Sequence, residues 1–309
     1  MSGAPGSGDG RRPLVFVGGT GRSGTHIVGR LLGEHAAYAD VPIEARFHCN
    51  KRGLPDLLGG RVSFGGFLAK LRDFWWHRIR VDDQPRGLYS LMYRSAFDEA
   101  VERFEASYHS DPIAAARRLY LDLLWPLAEE EGKPGLVEMS SHNVREAQIL
   151  RRLFPEAKVV HTVRDGRDAA SSVTTKTWGP DDVIKGIDWW AERLRWIDRG
   201  VSGVEDGAEY GLPAAQFHLV VLDDLVTGRR EECLDRLCRF LEIDPDGGMR
   251  AFFDGQMSAK GMHRGRWAEG VGVIGRTRVR KRYERTLARL DQEGNHVAPP
   301  LLDALERLG

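Results

Sequence analysis

Net charge of either sign is missing from this sequence: 45 lysines and arginines face 45 aspartates and glutamates across 309 residues. A balanced chain offers no long-range field for a polyanion, so nucleic acid is not an expected partner; only a local basic patch would change that. Cysteine is scarce. Cys49, Cys233 and Cys238 make neither a metal-ligand spacing nor a paired framework, and they read as free thiols of a reducing compartment. Long hydrophobic runs are also absent, and no stretch approaches the roughly 18 apolar residues of a membrane helix. The Gly- and Ser-rich residues 1–12, ending in Arg11-Arg12, hold no apolar signal-peptide core and read as a disordered tail. The expectation is a cytoplasmic protein with no membrane span.

Hydrophobic residues make up 41% of the chain, enough to bury a full core, and residues 13–309 are expected to form one α/β domain. The sharpest pattern lies at its start. Leu14-Val15-Phe16-Val17 runs into Gly18-Gly19-Thr20-Gly21-Arg22-Ser23-Gly24-Thr25, and Ile27, Val28, Leu31 and Leu32 follow at helical spacing. That is strand, glycine loop, helix. Glycine lets the backbone turn sharply and approach a ligand, while the helix start supplies free N–H groups and the positive dipole end. The loop suits a phosphate-like anion. It lacks the lysine of the nucleoside-triphosphate loop GxxxxGK[ST]. Counted from Gly19, Thr25 stands in that place, and the nearest cation is Arg22.

A second junction repeats the pattern. Val159, Val160 and Val163 signal a buried strand, Arg164-Asp165-Gly166-Arg167-Asp168 turns, and residues 169–172 open a helix. The Arg164 fork with the Ser172 hydroxyl makes a second phosphate grip. Without a ligand, the same residues make a solvated turn of Asp–Arg pairs.

Elsewhere, strands are predicted at 135–139 and 216–222, and helices at 114–131, 143–154, 181–199 and 230–241. Their alternation predicts a parallel sheet with crossover helices, a three-layer P-loop-like fold. Residues 51–112 break the alternation and carry Phe74, Trp75, Trp76, Tyr89 and Tyr93. They read as a mostly helical insertion, either an acceptor lid or satellite core. The basic stretch 276–285 reads as a solvated helix face or loop, with phosphate binding as the lesser reading.

Together the two junctions resemble the sulfotransferases that use 3′-phosphoadenosine 5′-phosphosulfate, most closely the tyrosylprotein and bacterial branch, whose loop also begins Arg-Ser-Gly-Thr. The resemblance spans about residues 13–270. It implies that Gly21, Arg22, Ser23, Gly24 and Thr25 hold the 5′-phosphosulfate, with His26 beside them where the family has a second Thr. It implies that Arg164 and Ser172 hold the 3′-phosphate, and that Arg264 and Arg266, in His263-Arg264-Gly265-Arg266-Trp267, return to it. Leu222, in Leu222-Asp223-Asp224-Leu225, stands where the family has a Tyr near the adenine.

Sulfuryl transfer needs held charge, an in-line acceptor hydroxyl and a base. Arg22 is the expected catalytic cation. Glu44, in Glu44-Ala45-Arg46, matches a Glu-Thr-Arg motif whose Glu is the base in the tyrosylprotein branch. Glu138 is its rival, at the place of a Glu-Lys-Ser/Thr-Pro motif that has here become Glu138-Met139-Ser140-Ser141. His48 and His161 read as structural. The resemblance implies no metal for the chemistry. The aromatic residues suggest a small-molecule acceptor, or a lipid or sugar hydroxyl. A homodimer is left open. Two rivals stand beside this reading: a P-loop kinase or NTPase using ATP–Mg²⁺, for which His218 to Asp223 resembles a strand ending in a metal-binding Asp, and a catalytically dead nucleotide-binding module.

Overall fold

Leu14 and Phe16 point into one apolar cluster while Val15 and Val17 point into another, so strand β1 (Leu14–Gly19) is buried on both faces. A strand covered on both sides belongs in the middle of a helix-flanked parallel sheet. β1 lies third in a five-stranded sheet whose other members are β2 (Tyr38–Asp40), β3 (Gly135–Glu138), β4 (Lys158–Val163) and β7 (Phe217–Val221), in the order β2-β3-β1-β4-β7. Every pairing in it is parallel. A short antiparallel hairpin, β5 (Val204–Glu205) and β6 (Ala208–Glu209), stands apart. The computed structural model describes residues 12–78, 86–202, 204–205, 208–209 and 211–308. Residues 1–11 of the expected tail lie outside the described residues.

In chain order the helices are α1 (Thr25–Gly33), α2 (Leu54–Leu58), α3 (Phe64–Lys70), α4 (Arg94–Tyr108), α5 (Pro112–Leu124), α6 (Pro126–Glu130) and α7 (Ala147–Leu153). There follow α8 (Gly166–Thr174), α9 (Val183–Ser202), α10 (Leu222–Leu225), α11 (Arg230–Leu241), α12 (Gly247–Gln256), α13 (Val273–Gln292) and α14 (Ala298–Leu308). Residues of α1, α11 and α12 pack on the Val15 face, and those of α5 and α7 on the Phe16 face. α8, α9, α13 and α14 share a third cluster beside β4 and β7. Sheet and helices make the three-layer α/β fold that the alternation predicts.

The helix predicted at 114–131 is broken between α5 and α6, where Pro126 supplies no N–H for the next turn. The helix predicted from residue 143 starts only at Ala147. The Asn143 side chain is spent elsewhere: its Nδ2 donates to the Val17 carbonyl at 3.1 Å and to Glu138 Oε2 at 2.6 Å. The 51–112 region is largely helical among its described residues. Phe67, Trp75, Trp76, Phe97 and Phe104 are buried in the same cluster as Phe16, whereas Phe74, Tyr89 and Tyr93 are exposed.

Candidate active site

All five sheet strands run the same way, so the loops after their C-terminal ends gather on one edge, where α/β sheets bind ligands. The loop after β1 is the tightest of them. Gly24 caps α1 with φ +91° and no side-chain cap, which leaves the first-turn donors of the helix to a ligand. The loop is closely supported. A Cβ on Gly24 would lie 2.7 Å from Leu222 Cδ2, and one on Gly19 would lie 2.4 Å from the Thr162 carbonyl oxygen. Ser23 Oγ sits 3.3 Å from Thr162 Oγ1 beneath the turn. Leu222 is thus packed under the glycine loop.

The loop after β4 meets it. Arg22 Nε donates to Ser172 Oγ at 2.9 Å. Arg164 is buried at the strand end, and its Nη2 donates to the carbonyls of Met262 at 2.7 Å and His263 at 2.9 Å. Asp168 accepts from the N–H groups of Gly265 at 2.7 Å and Trp267 at 3.1 Å. Arg164 and Asp168 therefore strap the 262–267 segment to this edge. Arg264 and Arg266 are carried on it, both exposed, with Arg264 Nε 3.8 Å from Asp223 Oδ1. Asp223 accepts the Asp165 N–H at 2.8 Å. Burial and then the Asp165 charge push its carboxyl up to about 6.

The loops after β2 and β3 form the opposite flank, and they separate the two glutamates. Glu138 is fully buried. Its Oε1 accepts from Ser140 Oγ at 2.6 Å and Ala45 N–H at 3.2 Å. Its Oε2 accepts from Asn143 Nδ2 at 2.6 Å, Ser140 N–H at 2.9 Å and His48 Nε2 at 3.0 Å. Burial alone would raise its carboxyl, but His48, Ser140 and Asn143 outweigh it and hold the group at about 2. His48, equally buried, is raised well above the ordinary imidazole value: burial lowers it, but Cys49 and Glu138 favour the cation. The two make a sealed, hydrogen-bonded pair whose electrostatics favour the ionic form.

Glu44 stands differently, 9% exposed on the site side of the same flank. Its Oε2 is paired with Arg46 Nη2, its Oε1 accepts the Ser141 N–H at 3.2 Å, and His26 Nε2 lies 3.9 Å from Oε1. Burial pushes Glu44 up; the Arg46 and His26 charges overcome that and leave it below the usual carboxylate range. His142, bonded through Nδ1 to Asn50 Oδ1, is lowered to about 4 by burial, then by Arg145 and Arg46. The structure thus brings Gly21–His26 into reach of both flanks: Arg22 turns to Ser172, and His26 to Glu44.

One aromatic residue at this edge escaped the sequence reading. Trp189 Cη2 lies 3.9 Å from where a Gly21 Cβ would be. The Trp178 ring is 6.1 Å from it, and the Arg193 guanidinium sits 3.7 Å over its centroid, a cation–π contact. The signal lay in α9, where Ile187, Trp190, Leu194 and Ile197 are buried and Trp189 falls off that stripe. A cavity of about 780 Å³ opens at the other edge of the sheet, against Arg12, Leu14, Ala114 and Phe154, and holds no residue of these loops. Among the described residues, no cluster of three or more His, Cys, Asp or Glu is placed to hold a metal. None of their helices is long and apolar enough to cross a membrane.

No protein of curated function matches the chain. Among solved structures it is similar to the sulfotransferase domain from the curacin biosynthetic pathway, at 17% identity, TM-score 0.49 and 80% coverage of each chain. It is also similar to the sulfotransferase domain of the Synechococcus PCC 7002 olefin synthase, at 17% identity and TM-score 0.48, covering 91% of this chain and 97% of that one. A sulfotransferase from Alicyclobacillus acidocaldarius stands at 15% identity and TM-score 0.46, covering 91% and 95%. The match that decides is to a family model, which takes in residues 13–246 and with them both strand-to-helix junctions and both glutamates. The chain belongs to the sulfotransferase family and is a sulfotransferase enzyme.

Proposed function

We propose that the enzyme takes its sulfuryl group from 3′-phosphoadenosine 5′-phosphosulfate and passes it to an acceptor hydroxyl, with Glu44 as base. The observation that carries this reading is the 2.9 Å bond from Arg22 to Ser172. It makes neighbours of the two loops that suit anions, as a donor with phosphate at both its 5′ and 3′ ends requires. The uncapped start of α1, with Ser23, Gly24 and Thr25, receives the 5′-phosphosulfate. Arg164, Ser172 and the segment bearing Arg264 and Arg266 receive the 3′-phosphate, and Trp189 and Trp178 offer faces to a ring. In the transfer, the acceptor oxygen bonds to sulfur, the bond from sulfur to the bridging 5′-phosphate oxygen breaks, and the acceptor proton passes to Glu44. The products are the sulfate ester and adenosine 3′,5′-bisphosphate. Arg22 holds the charge that grows on the leaving phosphate.

Glu44 takes the role of base because it faces the loop beside His26, whereas the oxygens of Glu138 are filled by five donors. The acceptor is a small molecule bearing a hydroxyl, bound on the β2–β3 flank. Calorimetric titration with adenosine 3′,5′-bisphosphate, against ATP–Mg²⁺, tests the donor. Binding of the bisphosphate in the presence of EDTA is expected. Heat with ATP–Mg²⁺ and none with the bisphosphate would replace this reading with that of a kinase or NTPase.

A further inference from the structure

Arg78 closes the described part of the insertion before residue 79, and its carbonyl accepts the Arg86 N–H at 3.0 Å. Its Nη1 is buried, and no acceptor among the described residues reaches it. A buried donor left unmatched is costly, and more so on a charged group. The carboxylates that act on Arg78 are Glu44 and Glu138. Glu44 is already paired with Arg46 and with the Ser141 N–H. Glu138 is matched by the His48 cation and four further hydrogen bonds. Burial, then the charges of Arg46 and Arg86, pull the Arg78 guanidinium down to about 10 against the pull of Glu44. Among the described residues, both carboxylates that act on Arg78 are thus already matched by other groups. The charges that act on it, Glu44, Arg46, Arg86 and Glu138, include both glutamates of the β2–β3 flank.

We infer that the acceptor carries an anionic group, a carboxylate, phosphate or sulfate, near the hydroxyl that is sulfated, and that Arg78 receives it. A planar guanidinium with an unmatched Nη1 suits an oxyanion. An acceptor hydroxyl compound without such a group then lacks what fixes its position. The inference rests on the donor and base assignments above, and its test keeps the two apart.

The full-length enzyme and its Arg78→Gln and Arg78→Lys variants are first titrated with adenosine 3′,5′-bisphosphate. With that ligand saturating, matched pairs are titrated: 4-hydroxyphenylacetate against its amide, glucose 6-phosphate against glucose, and 12-hydroxydodecanoate against dodecane-1,12-diol. At least one anionic member is expected to bind about tenfold more tightly than its neutral twin, the scale of one charged hydrogen bond. Arg78→Gln removes that advantage, Arg78→Lys keeps part of it, and the bisphosphate affinity stays within about twofold in both, too small a change for a lost phosphate contact. The inference is overturned if no anionic member is preferred, or if the preference survives Arg78→Gln. It is equally overturned if Arg78→Gln weakens the bisphosphate, which would assign Arg78 to the donor. Failure of the unmodified enzyme to bind the bisphosphate would strike the donor reading instead, and remove the footing of this inference with it.

Discussion

Arg22 Nε donates to Ser172 Oγ across 2.9 Å, although 150 residues separate them in the chain. Sheet register makes this contact available. β1 and β4 are neighbours, with Gly19 opposite Thr162, so the loops that follow them start level and lean together. The β2–β3 flank is fixed the same way. Phe16 stands opposite Glu138, and Asp40 opposite Val137, which brings Glu44 to the far side of the glycine loop. The proposed donor site and the proposed base thus flank α1's first turn from opposite sides, the arrangement an in-line transfer needs.

Removing the cation should separate chemistry from binding. Arg22→Ala is expected to lower kcat by ~10²–10³, the scale of one lost transition-state donor. Ser172→Ala, which removes the hydroxyl at the proposed 3′-phosphate grip, is expected to weaken adenosine 3′,5′-bisphosphate by about tenfold, the scale of one charged hydrogen bond. Steady-state rates and calorimetry on each variant check this. A Ser172→Ala enzyme with unchanged bisphosphate affinity would remove Ser172 from the donor site.

Glu44→Gln is expected to lower turnover by ~10²–10⁴ and to spare bisphosphate binding, as for a lost acid–base group. A base works only when unprotonated. Burial raises the Glu44 carboxyl, but the Arg46 charge, then His26, hold it below its ordinary 4.5, so its acid limb in kcat/KM lies below pH 4.5. Arg46→Gln removes the larger of those charges and should move that limb upward. The pH–rate profiles of the two enzymes read this directly, and an Arg46→Gln limb that does not move counts against Glu44.

Much of this was legible in the sequence, and for local reasons. The glycine loop and the Arg164 turn show because strand, turn and helix signals abut there within a few residues. Short β2 does not show, since three residues are too few for a period. The different settings of the two glutamates were equally hidden. Glu138 ends β3 and Glu44 follows the end of β2 by four residues, and what separates them is long-range: Glu138 is closed by His48, which lies 90 positions away. Trp75 and Trp76 carry no mark telling them from exposed Phe74, because the insertion's packing against α5 is tertiary. Arg78 gave no signal of any kind. It matters only because nothing described pairs its buried Nη1.

Glu138→Gln tests the sealed pair as a source of stability. Breaking a buried ion pair by removing one partner costs about 3–5 kcal/mol, and the glutamine leaves the His48 cation unmatched. The signs are fixed by the two shifts. Glu138, held at about 2 from an ordinary 4.5, contributes stability above pH 4.5 that is lost as pH falls toward 2. His48, raised above 6.5, contributes stability below pH 6.5 that is lost as pH climbs through its folded value. Urea unfolding should therefore show the largest gap between wild type and Glu138→Gln from about pH 4.5 to 6.5, narrowing on either side. A gap independent of pH would mean that the pair is not ionic.

Gly24→Ala probes the loop itself, and two separate costs meet there. At φ +91° an alanine occupies a left-handed conformation that costs ~1–2 kcal/mol. Its Cβ would also lie 2.7 Å from Leu222 Cδ2. Leu222 is buried, so relieving the contact repacks the floor of the loop and turns its N–H groups from their shared focus. Bisphosphate affinity should fall by about tenfold or more, since several donors are misaligned together. Adding Leu222→Ala relieves the clash and leaves the dihedral cost, so the double variant should recover part of the affinity and not all of it. Calorimetry on the single and double variants separates the two terms. If Gly24→Ala binds the bisphosphate as the parent does, the anion does not sit in this loop, and the donor site must be sought at Arg164 alone.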